Sequence, residues 1–150
     1  IDKCFERINW IIILAFIIPK VGFSQIKITW KTLNDVKFTD KYSEEVDAFY
    51  YYPTFGSKVK ALDGKEVYLK GFVLDVDPTK SYYILSRHPY ASCFFCGSGG
   101  PDSIVELKLK ERNLKFTMDQ LVTIKGKLKL NSDDIWQCNY IFENAEIYSK

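Results

Sequence analysis

The side chains best suited to chemistry lie in one stretch, residues 88–102, which contains the run Cys93-Phe94-Phe95-Cys96-Gly97. In metal knuckles this cysteine spacing turns the chain so that both thiolates face one ion, and the following glycine permits the positive φ of the turn. A structural zinc ion takes four nitrogen or sulfur ligands. Apart from Cys4, the sequence holds one such set, His88, Cys93, Cys96 and Cys138. We therefore predict a zinc site here, provided that the strand bearing Cys138 passes beneath the loop.

Two other interpretations of these thiols stay open at this point. A disulfide between Cys93 and Cys96 would staple the loop in an oxidising compartment. Alternatively, the cysteines are buried free thiols that pack as small hydrophobic side chains. His88, as a single histidine, also fits an ordinary core or surface imidazole.

The same loop does not fit the common catalytic motifs. A thioredoxin-like redox pair stands at the start of a helix, whose field lowers the thiol pKa, but residues 97–101 (Gly-Ser-Gly-Gly-Pro) cannot begin one. A c-type haem site needs histidine directly after the second cysteine, where this chain has Gly97. Nucleophilic catalysis by a cysteine and His88 lacks a third group to orient the base. We expect binding and no catalytic activity.

The elements that must position this loop are β-strands. Residues 66–76 alternate with a period of two, and residues 81–87 form a second strand after an Asp77-Pro78 turn. Further strands are predicted at residues 103–110 and 120–130, with one or two more within 135–147. Helical periodicity is almost absent, so the fold class is mostly β.

A sequence pattern that occurs twice indicates that the sheet closes on itself. The pattern V-x-[IL]-K-G occurs at residues 67–71 and again at 122–126, and a glycine within a strand commonly marks a bulge or bend. Two such strands and an early hairpin favour a small, closed or partly open, five-stranded OB-like barrel over residues 61–150. A β-sandwich is the alternative.

The segment before the barrel, residues 25–60, is predicted to be an N-terminal arm that packs on the barrel. Its run Tyr50-Tyr51-Tyr52 would be costly to leave exposed to water. These three tyrosines, together with Phe94 and Phe95, are candidate anchors for a protein partner in the cell envelope. A binding module of this kind with a structural Cys93–Cys96 disulfide is the alternative to metal binding.

The first 24 residues have the layout of a secretory signal peptide. Lys3 and Arg7 precede an apolar run at residues 10–18, and Gly22 and Ser24 supply the small residues before a cut. A membrane-spanning helix needs about 20 apolar residues, roughly twice this run, although an uncleaved anchor stays the alternative. We expect a periplasmic or secreted protein that has no membrane attachment after cleavage.

Length and charge limit the remaining classes. At 150 residues the chain is the size of one domain. Its formal net charge is +2, and basic and acidic residues are interspersed along the strands. Nucleic-acid binding would call for a clustered basic face, so we do not expect it.

Several segments together resemble a family of small exported bacterial proteins that carries only a domain-of-unknown-function label. These segments are Tyr-Pro-Thr-Phe at 52–55, residues 62–67, Gly-Phe-Val at 71–73, Cys-Phe-Phe-Cys-Gly at 93–97 and Gly-Pro-Asp-Ser-Ile-Val at 100–105. The resemblance implies a periplasmic, OB-like domain of unassigned activity. More distant relatives with a Cys/His/Pro-rich loop at this place look associated with transport and metal-uptake systems.

Overall fold

The computed structural model describes residues 24–93, 97 and 99–149. Strands make up 49% and helices 11%, so the fold is mostly β, as predicted. The predicted signal peptide lies outside the described residues, apart from Ser24. Within the described part, no helix has the length and apolarity that crossing a bilayer requires.

The elements follow one another along the chain as short helical turns among longer strands. They are β1 (Ile26–Lys27), α1 (Trp30–Leu33), β2 (Val36–Ser43), β3 (Ala48–Phe55), α2 (Ser57–Lys60), β4 (Glu66–Asp77), β5 (Tyr82–Ser86), β6 (Ile104–Leu109), β7 (Gln120–Leu130) and β8 (Tyr140–Ile147). Two short 3₁₀ turns, Tyr90–Ser92 and Pro101–Ser103, lie between β5 and β6.

Five strands close into a barrel, and β1 adds to its outside as one extra strand. Around the barrel the order is β4-β5-β6-β8-β7, and β7 pairs back with β4. All of these neighbours are antiparallel except β6 and β8, which run parallel. The prediction of a small five-stranded barrel is confirmed.

The two glycines of the repeated pattern lie in the strands that close the barrel. Gly71 of β4 pairs with Val122 of β7, and Gly126 of β7 pairs with Val67 of β4. A Cβ on Gly71 would lie 2.7 Å from the Ser86 carbonyl oxygen. A Cβ at 126 would lie 2.9 Å from the Cβ of Phe142. Glycine is needed at both places because the neighbouring strand approaches too closely for a side chain.

Alternate residues of the barrel strands fill its interior, and the N-terminal segment covers it. The buried interior side chains include Val67, Leu69, Val73, Tyr83, Leu85, Val105, Leu107, Ile124, Leu128, Tyr140 and Phe142. Ile28, Leu33 and Val59 pack against the same cluster. The Tyr140 hydroxyl donates a hydrogen bond to the Leu33 carbonyl at 2.6 Å, which ties α1 to the core. The domain boundary between residues 60 and 61 stays a prediction.

Strands β2 and β3 form a separate two-stranded hairpin within this N-terminal segment. Asp35 holds its base, because the carboxylate accepts the N–H groups of Lys58 and Val59 at 2.9 and 3.2 Å. Near the tip, Trp136 Nε1 donates to the Glu45 carboxylate at 3.0 Å. The hairpin is therefore tied to the rest of the chain at both ends.

Candidate functional site

A second, smaller apolar cluster lies on the outer face of the barrel. It consists of Leu74, Ile84, Ile104 and the fully buried Cys93, and Tyr82 and Cys138 pack against it. Because side chains alternate along a strand, Ile84 points away from the interior that Tyr83 and Leu85 fill. The segments before β6 and before β8 supply Cys93 and Cys138 to cover this outward face. Two thiols thus share one apolar patch.

Neither thiol forms a disulfide with another described residue, and the local environment favours the neutral form of Cys138. Burial raises the pKa of the Cys138 thiol to about 12, and the negative charge of Glu106 acts in the same direction. A hydrogen bond with Tyr82 opposes these effects only in part. At neutral pH this side chain is therefore a protonated thiol with little nucleophilic character.

Glu106 is a buried carboxylate that anchors the segment before β8. Only 5% of the residue is exposed, and its Oε2 accepts the Cys138 N–H at 3.1 Å. Burial, followed by the charges of Cys138 and Glu106, raises the pKa of the Tyr82 phenol. Tyr82 therefore remains a hydroxyl, and the three residues form a polar group beside the apolar cluster.

This polar group opens onto a groove of about 290 Å³. Tyr50 and Tyr51 of β3 line one side, and Ser132 and residues 134–139, which include Trp136, line the other. Tyr82, Ile104 and Cys138 contribute from the barrel. The groove is thus a cleft between the β2–β3 hairpin and the loop that connects β7 to β8, which we call the 131–139 loop.

Large aromatic side chains are exposed around the groove. Trp136 is 71% exposed, as is Phe49, and Tyr51 is 56% exposed and Tyr42 47%. Tyr42 and Phe49 contact edge to face, with ring centroids 5.3 Å apart. Exposed aromatic side chains at this density are typical of surfaces that bind another molecule.

The structure brings two of the predicted metal ligands, Cys93 and Cys138, to one apolar patch. Cys93 is buried, Cys138 borders the groove, and His88 is half-buried with its backbone N–H bonded to Ser86 Oγ at 3.1 Å. Cys96 lies outside the described residues. Among the described residues, no group of three or more His, Cys, Asp or Glu side chains is arranged to hold a metal. The zinc site and the Cys93–Cys96 disulfide both stay predictions.

Only some of the predicted partner-binding residues lie at the groove. Tyr50 and Tyr51 line the groove. Tyr52 instead contacts Tyr50 edge to face at 6.4 Å and holds the ammonium of Lys41 4.4 Å from its ring centre. Phe94 and Phe95 lie outside the described residues.

Sequence reasoning missed Trp136, which it assigned to a strand within residues 135–147. The strand begins at Tyr140 instead, because side chains fold the preceding residues into a loop. The Asn131 amide donates to the carbonyls of Asp134, Gln137 and Cys138. The signal was present, since Asn-Ser-Asp-Asp at 131–134 is typical of a turn.

Comparison with known proteins supports the fold. No family model matches the chain, and no curated protein matches it in sequence. The fold does match a solved structure, the crystal structure of a DUF3299 family protein from Pseudomonas aeruginosa PAO1. The TM-score is 0.51 at 16% sequence identity, and the match covers 85% of this chain and 98% of that one. At this identity the likeness shows a shared fold, and that neighbour belongs to a family whose domain has no assigned function.

Proposed function

We propose that this chain is an exported binding protein of the cell envelope that holds a protein partner in the groove and performs no catalysis. The observation that carries the proposal is the set of exposed aromatic side chains on both sides of the groove, above all Trp136 and Tyr51. Tryptophan and tyrosine dominate the energetics of protein interfaces because they bury a large area and keep a polar atom for hydrogen bonding.

The titratable groups at the groove favour binding over chemistry. Cys138 and Tyr82 both have raised pKa values, so each keeps its proton at neutral pH. A catalytic nucleophile or base would need the opposite, a group that is ionised or poised near the working pH. These side chains are better suited to form the polar part of a recognition surface.

We also infer that the barrel is of the OB type and that the chain belongs with the small exported family that its motifs resemble. Numbered from β4, the strands lie in the order first, second, third, fifth, fourth, and the first closes against the fourth. This arrangement supports an OB-type barrel, a fold whose members commonly bind extended ligands.

Site-specific photo-crosslinking tests the proposed function. A photo-reactive amino acid at position 136, introduced in the native host, should capture one defined protein, which is then purified and mixed with wild-type protein. Trp136→Ala should weaken the reconstituted complex by about tenfold or more. Leu121→Ala is the matched control, because Leu121 is also an exposed apolar residue (51%) but does not line the groove. Equal affinities for the wild type and the Trp136→Ala variant would reject the groove as the binding site.

A metal-binding function at the thiols is a second candidate. It is favoured by the shared packing of Cys93 and Cys138 on one apolar patch, since Cys96 follows Cys93 by three residues. The raised pKa of Cys138 weighs against it, because a thiol must lose its proton to bind zinc. Zinc content and melting with chelator separate this candidate from a disulfide.

A further inference from the structure

The groove follows the edge of a strand. Tyr50 and Tyr51 are consecutive residues of β3, and both line it. Because neighbouring side chains of a strand point to opposite faces, a cleft over one face would contact only one of the two. The groove therefore runs along the outer edge of β3, the side away from β2.

This outer edge has no strand paired to it within the described residues, where β3 pairs with β2 alone. In an antiparallel pair, opposite residues alternate between those that exchange hydrogen bonds and those that do not. The Gly56 N–H donates to the Asp35 carbonyl at 2.7 Å, and the register runs on from this pair to Phe55 opposite Val36. Every second residue of β3 before Gly56 therefore points its backbone N–H and C=O toward β2. These residues are Thr54, Tyr52 and Tyr50.

The intervening residues of β3 consequently point their backbone groups outward. Phe49 and Tyr51 each present one N–H and one C=O to the outer edge, and Pro53 presents only a carbonyl. The position of Pro53 agrees with this alternation, because proline has no N–H to give to Phe38, its opposite residue on β2. Proline on the outward side also limits how far another strand could pair along this edge.

Acidic side chains surround the open part of the edge. Glu44, Glu45 and Asp47 are exposed in the turn between β2 and β3, and Asp133 and Asp134 are exposed in the 131–139 loop. Two of them accept hydrogen bonds from exposed aromatic side chains: Glu45 from Trp136 Nε1 at the groove, and Asp47 from the Tyr42 hydroxyl on the hairpin. The nearest hairpin cation, Lys41, is placed over the ring of Tyr52. The rim therefore favours a positively charged occupant.

We propose that the outer edge of β3, at Phe49 and Tyr51, adds one strand from its protein partner, an extended segment that carries lysine or arginine beside apolar residues. This inference rests on the proposed function and specifies its chemistry. Backbone hydrogen bonds to Phe49 and Tyr51 supply register, and the exposed aromatic rings pack against alternate apolar side chains of the added segment. A second copy of this chain fits less well, since two acidic rims would then face each other.

A synthetic octapeptide of alternating lysine and valine is the probe, and a glutamate–valine octapeptide is its control. Wild-type protein should bind the lysine peptide, measured by calorimetry, at least tenfold more tightly than the glutamate peptide. Binding should slow hydrogen exchange at the amides of Phe49 and Tyr51. A lysine–valine peptide that is N-methylated on the residues facing the edge should lose binding, a result that depends on no protein variant.

Two substitutions at one position separate the backbone from the side chain. Tyr51→Pro removes the outward N–H without removing a bond to β2, and it should weaken binding of the lysine peptide by about tenfold. Tyr51→Val also lacks the aromatic ring but keeps that N–H, so it is the matched reference and should bind the lysine peptide at least about fivefold more tightly than Tyr51→Pro does. Circular dichroism and a melting curve establish that both variants are folded.

Several results would overturn the strand addition. They are absence of binding at millimolar peptide, equal binding of the N-methylated peptide, or exchange protection confined to other amides. A wild-type dimer in solution that Tyr51→Pro converts to a monomer would assign the edge to a second copy instead. A different result would reject the proposed function: the crosslinked partner would bind the Trp136→Ala variant as tightly as wild type. If only the strand addition is wrong, Trp136→Ala still weakens binding of that partner.

Discussion

Replacing Glu106 by leucine should destabilise the protein through a lost hydrogen bond rather than through lost charge. Glu106 is almost fully buried and accepts the Cys138 N–H at 3.1 Å. Leucine has a similar volume, so it leaves little cavity, but it leaves the Cys138 N–H without its acceptor. A buried donor without a partner costs about 1–3 kcal/mol. Because water can enter from the groove, we expect the lower part of that range, about 1–2 kcal/mol.

Glu106→Gln is the matched control for this substitution. The glutamine oxygen can still accept the Cys138 N–H. Removing a buried charge also relieves a desolvation cost. The glutamine variant should therefore unfold within about 0.5 kcal/mol of wild type, or be more stable than it.

Urea unfolding measures both variants, and thermal melting provides a check. For a domain of this size, about 1–2 kcal/mol corresponds to a fall in Tm of roughly 3–8 °C for Glu106→Leu. Hydrogen exchange should quicken locally in residues 132–138, since their anchor on the barrel is gone. The reasoning is refuted if glutamine destabilises as much as leucine, which would assign the effect to charge, or if leucine leaves stability unchanged.

Three further predictions concern the thiols and the barrel closure. If zinc is bound by Cys93, Cys96, Cys138 and His88, chelator should lower the Tm while reductant does not, and Cys138→Ser should cost nearly as much as Cys93→Ser. Under a Cys93–Cys96 disulfide, reductant lowers the Tm, chelator does not, and Cys138→Ser costs only about 1 kcal/mol. Cys138 should resist alkylation in the folded protein at pH 8, where a pKa of about 12 leaves roughly one thiolate in ten thousand; rapid folded-state labelling, located by mass spectrometry, would contradict this. Gly126→Ala should lower the unfolding free energy by about 1–3 kcal/mol, measured in urea, because its Cβ would lie 2.9 Å from that of Phe142; an effect no larger than that of Lys127→Ala, at the exposed neighbouring position, would contradict the steric argument.

The barrel was predictable because the sequence of its strands carries the period-two alternation and the glycines that the fold requires. Residues 66–76 alternate cleanly, and the glycines at 71 and 126 mark where two strands pass too close for side chains. These signals depend on near neighbours in the chain and on simple sterics. They were sufficient to identify both the number of strands and the closure of the sheet.

The groove was harder to predict from the sequence, because contacts between residues far apart in the chain form it. Tyr50 and Tyr51 stood out as an aromatic run, but their strand was not predicted, since the run lacks polar alternation and ends at Pro53. The sequence alone does not indicate that β3 pairs with β2, because Asp35 holds the base of the hairpin through a contact with Lys58, 23 residues later in the chain. Glu106 looked like a surface residue of an alternating strand, because its burial comes from a loop some 30 residues later in the chain.

The position of the groove follows from what covers the barrel's outer face. In an OB-type barrel, which we propose this to be, the outward surface of the second and third strands is the usual ligand platform. In this chain those strands are β5 and β6, and their outward residues Ile84, Ile104 and Glu106 are buried. Cys93 and Cys138 contribute to the cover that lies over them.

A ligand therefore meets the loops rather than the strands. The open surface is displaced to the cleft between the 131–139 loop and the hairpin, where Trp136 and Tyr51 are exposed. A phosphate backbone would meet Asp134 and the hairpin's acidic turn there, and it would find few cations. The covered platform and the acidic rim together direct the proposal away from nucleic acid and toward a basic, extended polypeptide.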